Sequence, residues 1–361
     1  MQELTFDYRD IGKAPRLAWS IRKMYLALKG ILLAWGIYLV FTYAALLLSP
    51  ARSAGPVQLF QYFEFFPYLP GEAAGIPAAV IWILGIILAL CTLLLAATAV
   101  SRAAYEDLRG NLMFQAREAV LFTRTNRWTV LISMLALFFL VLIFIVSFAL
   151  AGLVGRIPAV GPLFVALFSI PLFFWGLAGI VVLITFLIGF TIVPAIVGCL
   201  EEDVLETVIQ TFITIWSKPV LFFWYQIIIR VVTVFVTALL KMVSIAAFLF
   251  VLILTAPFMG NTLNELFTIS LSRIPFLMES HVVLNGLYIL NFLFGTPSIV
   301  DTSGVSGVVH LSGWILGIGY LLVAAWIVSF AFSTFFSAQV LMYLTLYKRK
   351  EGKDIRAVKS Q

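Results

Sequence analysis

Five polar residues on one apolar run carry the clearest chemistry in this chain. Gln226, Arg230, Thr233, Thr237 and Lys241 lie in Pro219 to Pro257, a stretch otherwise dominated by Ile, Val, Leu, Phe and Ala. At about 100° per residue they fall, with Ser244 and Thr255, within roughly a quarter turn of a single helix. Lipid cannot solvate such a stripe, so it is expected to face protein or water. Arg230 would sit about 16 Å past Pro219 along a helix, near the middle of a ~30 Å hydrocarbon core. An isolated charge there costs at least ~2.5–3.5 kcal/mol, and no carboxylate lies inside an apolar run to pair with it. The chemistry this suits is contact with an anionic group, such as a lipid phosphate or carboxylate, in a cavity between helices. Gln226, Thr233 and Thr237 would line that cavity, and Lys241 would form an outer basic station. The structural alternative is that Arg230 and Lys241 snorkel toward the interface and the hydroxyls bond their own helix.

Other reactive residue types form no site. His281 and His310 are the two histidines, and both map to an outer loop or its edge, where a polar tip is the ordinary role. Glu201, Glu202, Asp203 and Glu206 are the densest acidic cluster. Acids in the first turn of a helix are explained by its dipole, and no further ligand type is adjacent to hold a metal. Cys91 and Cys199 form no CxxC pair, so they read as small buried thiols. Asp301-Thr302-Ser303-Gly304 resembles an aspartic-protease loop, but occurs once, in a Gly/Ser-rich setting. No GxSxG, HExxH or P-loop occurs. With no acid or histidine inside the apolar runs, the chain reads as non-enzymatic, with no metal and no cofactor.

The elements that position these residues follow from composition. The 361 residues are 63% hydrophobic and 11% charged, with mean hydropathy +1.09. A soluble domain carries about 25% charged residues, so lipid must be the main solvent. The net charge of +6 sits beside apolar runs and does not indicate nucleic acid. The pattern predicts an all-α polytopic membrane protein, a single membrane domain with six transmembrane helices at about 30–49, 77–100, 128–152, 163–190, 219–257 and 313–345. Pro171 and Pro194 are expected to kink or end helices. Amphipathic, interfacial helices are expected at about 8–29, 103–124 and 200–218, with an outer loop at 258–312 holding a short interfacial or re-entrant segment at 282–294. The first apolar run is too long for a signal h-region of about 7–15 residues, so it is expected to remain as an anchor.

Lys and Arg set the orientation. Eighteen fall on the side of the two termini, three (Arg52, Arg156, Arg273) on the other, and Arg230 and Lys241 lie within a span. This bias puts both ends in the cytoplasm of a plasma (inner) membrane. The tail KRKEGKDIRAVK and the other basic segments would rest on anionic headgroups, at ~1 kcal/mol per residue. Gly313, Gly317, Ser329, Ser333 and Ser337 form a small-residue stripe on span 6, suited to packing within the chain, to self-association or to a protein partner. Tyr8-Arg9-Asp10, Tyr105-Glu106-Asp107 and Leu200-Glu201-Glu202 recur at near-even spacing. They suggest three parallel units of interfacial helix plus hairpin; evenly spaced polar loops are the plainer explanation.

Three stretches carry a family resemblance: AAYEDLRG (103–110), PAIVGCLEEDVLETVIQTFITIWSKPVLFFWY (194–225) and the basic close YLTLYKRKEGKD. Together they resemble the loose bacterial group that includes the YciC-like proteins and the membrane domain of glycerophosphodiester phosphodiesterases. That resemblance implies a six-span fold with interfacial helices. It implies no catalytic residue, because the soluble phosphodiesterase barrel is absent from this chain. The leading expectation is binding or movement of an anionic amphiphile in a cavity lined by span 5. The alternative is a structural or accessory subunit of a membrane complex.

Overall fold

The computed structural model describes residues 4–49, 59, 63, 65–69, 75–111, 113–158, 160–272 and 306–358. Among them there is no strand. After a 3₁₀ turn at Tyr8–Lys13 come α1 (Ala14–Ala18), α2 (Ile21–Leu48), α3 (Ile76–Arg109), α4 (Ala116–Thr125) and α5 (Arg127–Gly155). Then follow α6 (Val160–Leu167), α7 (Ser169–Leu200), α8 (Val204–Trp216), α9 (Pro219–Met259), α10 (Asn261–Ser272), α11 (Gly307–Glu351) and α12 (Ile355–Val358). Helices α2, α3, α5, α7, α9 and α11 are long and apolar enough to cross a membrane. The chain is therefore all-α, with the layout of a polytopic membrane protein.

Several helices overrun the apolar runs that announced them. Residues 21–29 and 103–109, expected to be interfacial, continue α2 and α3 as charged turns. Gly110 then stops α3. Its φ of 93° is open to glycine, and the amides of Gly110 and Asn111 bond the carbonyls of Asp107 and Glu106 at 3.1 and 3.0 Å, closing the helix end. The amphipathic helix α4 starts six residues later, where the Gln115 amide donates to Glu118 at 2.8 Å. The expected span 163–190 divides into α6 and α7. Pro171 falls in the first turn of α7, where its missing N–H costs least. Pro194 sits inside α7 without ending it, as membrane helices tolerate.

The chain forms two compact units. The first comprises residues 1–30, 90–233 and 332–361; the second comprises 31–89 and 234–331. In the first unit every residue of α11 from 336 to 346 is buried, as is every residue of α7 from 192 to 200. A helix covered on all sides is a packing centre; around it lie Tyr105 and Leu108 of α3 and Phe222, Tyr225 and Ile229 of α9. Gly198 makes the α3–α7 crossing close, since a Cβ there would lie 2.9 Å from Ser101 Cβ and 3.1 Å from the Arg102 amide. A second apolar patch joins Leu94, Val130, Met134, Leu137, Val193 and Val197.

The second unit packs Ala45 and Leu46 of α2 with Leu69 and Ala78. Tyr38 donates to the Pro67 carbonyl at 2.8 Å. Within the region expected as an outer loop, α10 packs Ile269 against Gly313 of α11. Residues 282–294, His281 and Asp301 to Gly304 lie outside the described residues.

Candidate functional site

Helix α9 has one buried side and one open side. Phe222, Tyr225 and Ile229 are buried at i, i+3 and i+7 spacing, while Phe223, Ile227 and Val231 are 41%, 54% and 61% exposed. The polar stripe runs along the boundary between these faces. Four residues advance a helix by one turn plus about 40°, and that rotation separates Gln226 from Arg230.

Gln226 is buried. Its amide and that of Gln339 on α11 exchange two hydrogen bonds, each 3.0 Å, Nε2 to Oε1 in both directions. This reciprocal pair satisfies two buried side chains that would otherwise each be costly. Arg230 is exposed, and among the described residues nothing accepts a hydrogen bond from it or forms an ion pair with it. It was expected to meet an anionic group in a cavity between helices; its place on the wheel leaves it exposed. Thr233 is half-buried, with a hydroxyl that finds no partner among the described residues.

In the second unit, Thr237 is likewise half-buried with an unpartnered hydroxyl, and Lys241 is exposed. Ser244 and Thr255 bond the carbonyls one turn back, at 2.8 and 2.9 Å. His310 is exposed near the start of α11.

The acidic cluster splits. Glu201 caps the end of α7 in the left-handed region, φ 57°, and pairs with Arg102. Asp203 is the N-cap of α8, and Glu206 lies in its first turn, where a helix dipole favours acids. Among the described residues no three His, Cys, Asp or Glu side chains converge on one point.

The small-residue stripe of α11 is covered by the chain itself. Ser329, Ser333 and Ser337 are fully buried, and Ser333 Oγ donates to the Ala18 carbonyl at 3.4 Å. The face suggested for a partner or self-association is therefore occupied by internal packing.

The first unit also contains a charged belt that no local motif announced. Buried Lys23 lies 2.7 Å from Asp107, with Arg22 at 3.2 Å. Arg102 holds Glu106 at 2.8 Å as well as Glu201. Arg349 reaches back to Asp7 at 3.0 Å, tying the last long helix to the N-terminal segment. Lys348 lies over the Phe6 ring at 3.6 Å, with Arg356 at 5.3 Å. Burial pushes the Asp10 carboxyl up, but hydrogen bonds from Lys13 and the Phe6 amide and the charge of Lys13 hold it below its ordinary value. Asp354 behaves alike: burial opposes the charge, and Arg356 wins.

No family model, curated protein or solved structure matches the chain. The family resemblance therefore rests on its quoted motifs, and function rests on the geometry.

Proposed function

We propose that this chain is a non-enzymatic integral membrane protein that holds an anionic amphiphile, a phospholipid, against the open face of α9, with Arg230 as the phosphate contact. The observation that carries this reading is a guanidinium without a partner among the described residues, exposed among exposed apolar side chains. Hydrocarbon penalises that arrangement, and a phosphate reached by the side chain relieves it. Lys218, Pro219, Val220, Leu221 and Trp224 line an open groove of about 450 Å³ at the start of α9. Lys and Trp belong at the headgroup level. Arg230 lies six residues beyond Trp224, about 9 Å along the helix and about 120° around it. One turn back, Gln226 ties α9 to α11 through Gln339. The site so read is open to the side of the helix rather than enclosed.

The excess of Lys and Arg on the side of the termini favours a plasma (inner) membrane with both ends cytoplasmic, and so a lipid of the cytoplasmic leaflet. Native mass spectrometry of protein extracted with phosphatidylglycerol tests this. Wild type should retain the lipid, Arg230→Lys should retain part, and Arg230→Ala should lose it several-fold. Equal retention by Arg230→Ala would overturn the reading.

A second reading is an accessory subunit whose partner supplies a carboxylate to Arg230. It is favoured by α9 being the least covered of the six long apolar helices among the described residues, with 6% of its most apolar window buried against 17–50% for the others. A stoichiometric polypeptide lost on Arg230→Ala would select it.

A further inference from the structure

Helix α4 is held to the first unit by the face that an interfacial helix ordinarily lays on lipid. Ala119 belongs to a buried cluster with Leu26, Ala103 and Phe336, and Ala116 and Val120 pack against it. Phe122 is pinned beneath the Arg102 guanidinium, 4.4 Å from its ring centroid. With that side fixed inward, the other side is left outward. Arg117, Leu121 and Arg124 are all exposed, and their i, i+4 and i+7 spacing sets them within about 60° of one another. Past a break at Asn126, the first turn of α5 adds exposed Arg127, whose guanidinium lies 5.4 Å from the Trp128 ring centroid. Among the described residues no carboxylate pairs with Arg117, Arg124 or Arg127. Glu118, the one acid on α4, accepts the Gln115 amide at 2.8 Å as part of the helix cap.

We infer that the outward face of α4 and the first turn of α5 form a docking ridge for acidic phospholipid headgroups, one that shares no residue with the Arg230 contact. The ridge combines two chemistries. Its three guanidiniums suit phosphate, which accepts their N–H donors in pairs. Leu121 and Trp128, 52% and 60% exposed, need an apolar boundary beside those charges. The edge of an acidic bilayer offers phosphate and hydrocarbon side by side. The apolar run of α5 begins at Trp128, so Arg127 and Trp128 fall at the headgroup level, where Trp is favoured. Folding thus reverses the face by which an amphipathic helix meets lipid: the apolar stripe of α4 goes to the protein, and its basic edge goes to the membrane.

Photocrosslinking of the full chain tests it, in nanodiscs holding equal amounts of phosphatidylglycerol and phosphatidylcholine. Leu121→p-benzoylphenylalanine places the photoreactive ring on the exposed ridge, and adducts are read by mass. Phosphatidylglycerol adducts should outnumber phosphatidylcholine adducts several-fold. Arg117→Gln, Arg124→Gln and Arg127→Gln together should abolish that preference; all three side chains are exposed, so the fold should survive their change. Equal adducts from the two lipids would overturn the inference, because the contact would then be apolar only. So would the absence of any lipid adduct, a preference that survives the triple variant, or an adduct to a co-purified acidic polypeptide in place of lipid. The adduct reports only what lies beside position 121, so the ridge and the Arg230 contact can each fail alone.

Discussion

Removing the Asp107 carboxylate should be among the most damaging conservative-sized changes in the first unit. Lys23 Nζ lies 2.7 Å from Asp107 with its side chain 1% exposed, while Arg22 lies 3.2 Å away and is 37% exposed. At an effective dielectric near 20 the Lys23 attraction is on the order of 6 kcal/mol before desolvation. Deleting one partner of a buried pair costs about 3–5 kcal/mol, since the other charge is left uncompensated. Arg22 can turn to solvent, but Lys23 cannot, so nearly all of the cost of Asp107→Ala should act through Lys23. The reasoning has a second consequence. Lys23→Met added to Asp107→Ala should recover most of the loss, because removing both ions removes the stranded charge. Lys23→Met alone should cost less than Asp107→Ala, as Asp107 keeps Arg22. Thermal melting in mild detergent measures all three. The argument fails if Asp107→Ala melts with wild type, or if the double variant melts as low as Asp107→Ala.

Three further outcomes follow from the same packing. Gly198→Val should lower Tm more than Gly198→Ala, because even the first added carbon meets Ser101 Cβ at 2.9 Å and the Arg102 amide at 3.1 Å; equal melting of both with wild type would show that the crossing is loose. Ser333→Leu should misfold the chain rather than release a partner, since Ser333 is fully buried against the N-terminal segment, and size-exclusion chromatography separates aggregation from dissociation. Acid should loosen the N-terminal turn. The Asp10 carboxyl is held below its ordinary value, so its stabilisation is complete above the unfolded carboxylate pKa of about 3.9 and is lost as pH falls through the lower folded value. Asp10→Asn should flatten that part of a stability–pH curve between about pH 5 and 2, and an unchanged curve would discount the carboxylate.

What the residue pattern could show depended on the range of the interaction. The six crossings were readable because each needs only a run of apolar side chains. The stop at Gly110 was readable in principle, from a glycine directly after the last charged turn. The polar stripe on α9 was visible as a stripe, but its facing was not. Gln226 and Arg230 differ by about 40° around the helix, and only the contact with Gln339, 113 residues on, decides which turns inward. The small residues of α11 announced close packing without saying against what; Ala18, 315 residues earlier, is the answer for Ser333. The charged belt was hidden for the same reason. Lys23 meets Asp107 across 84 residues and Arg349 meets Asp7 across 342, and no local motif reports a partner at that distance.

The central claim concerns what meets the Arg230 guanidinium in a bilayer. The measurement that decides it is a density map of the chain in nanodiscs containing phosphatidylglycerol, read at α9. The account predicts a lipid phosphate within about 4 Å of the guanidinium, with an acyl chain along Ile227 and Val231. A guanidinium ringed by acyl chains with no phosphate in reach, or paired with a carboxylate of this chain, would contradict it.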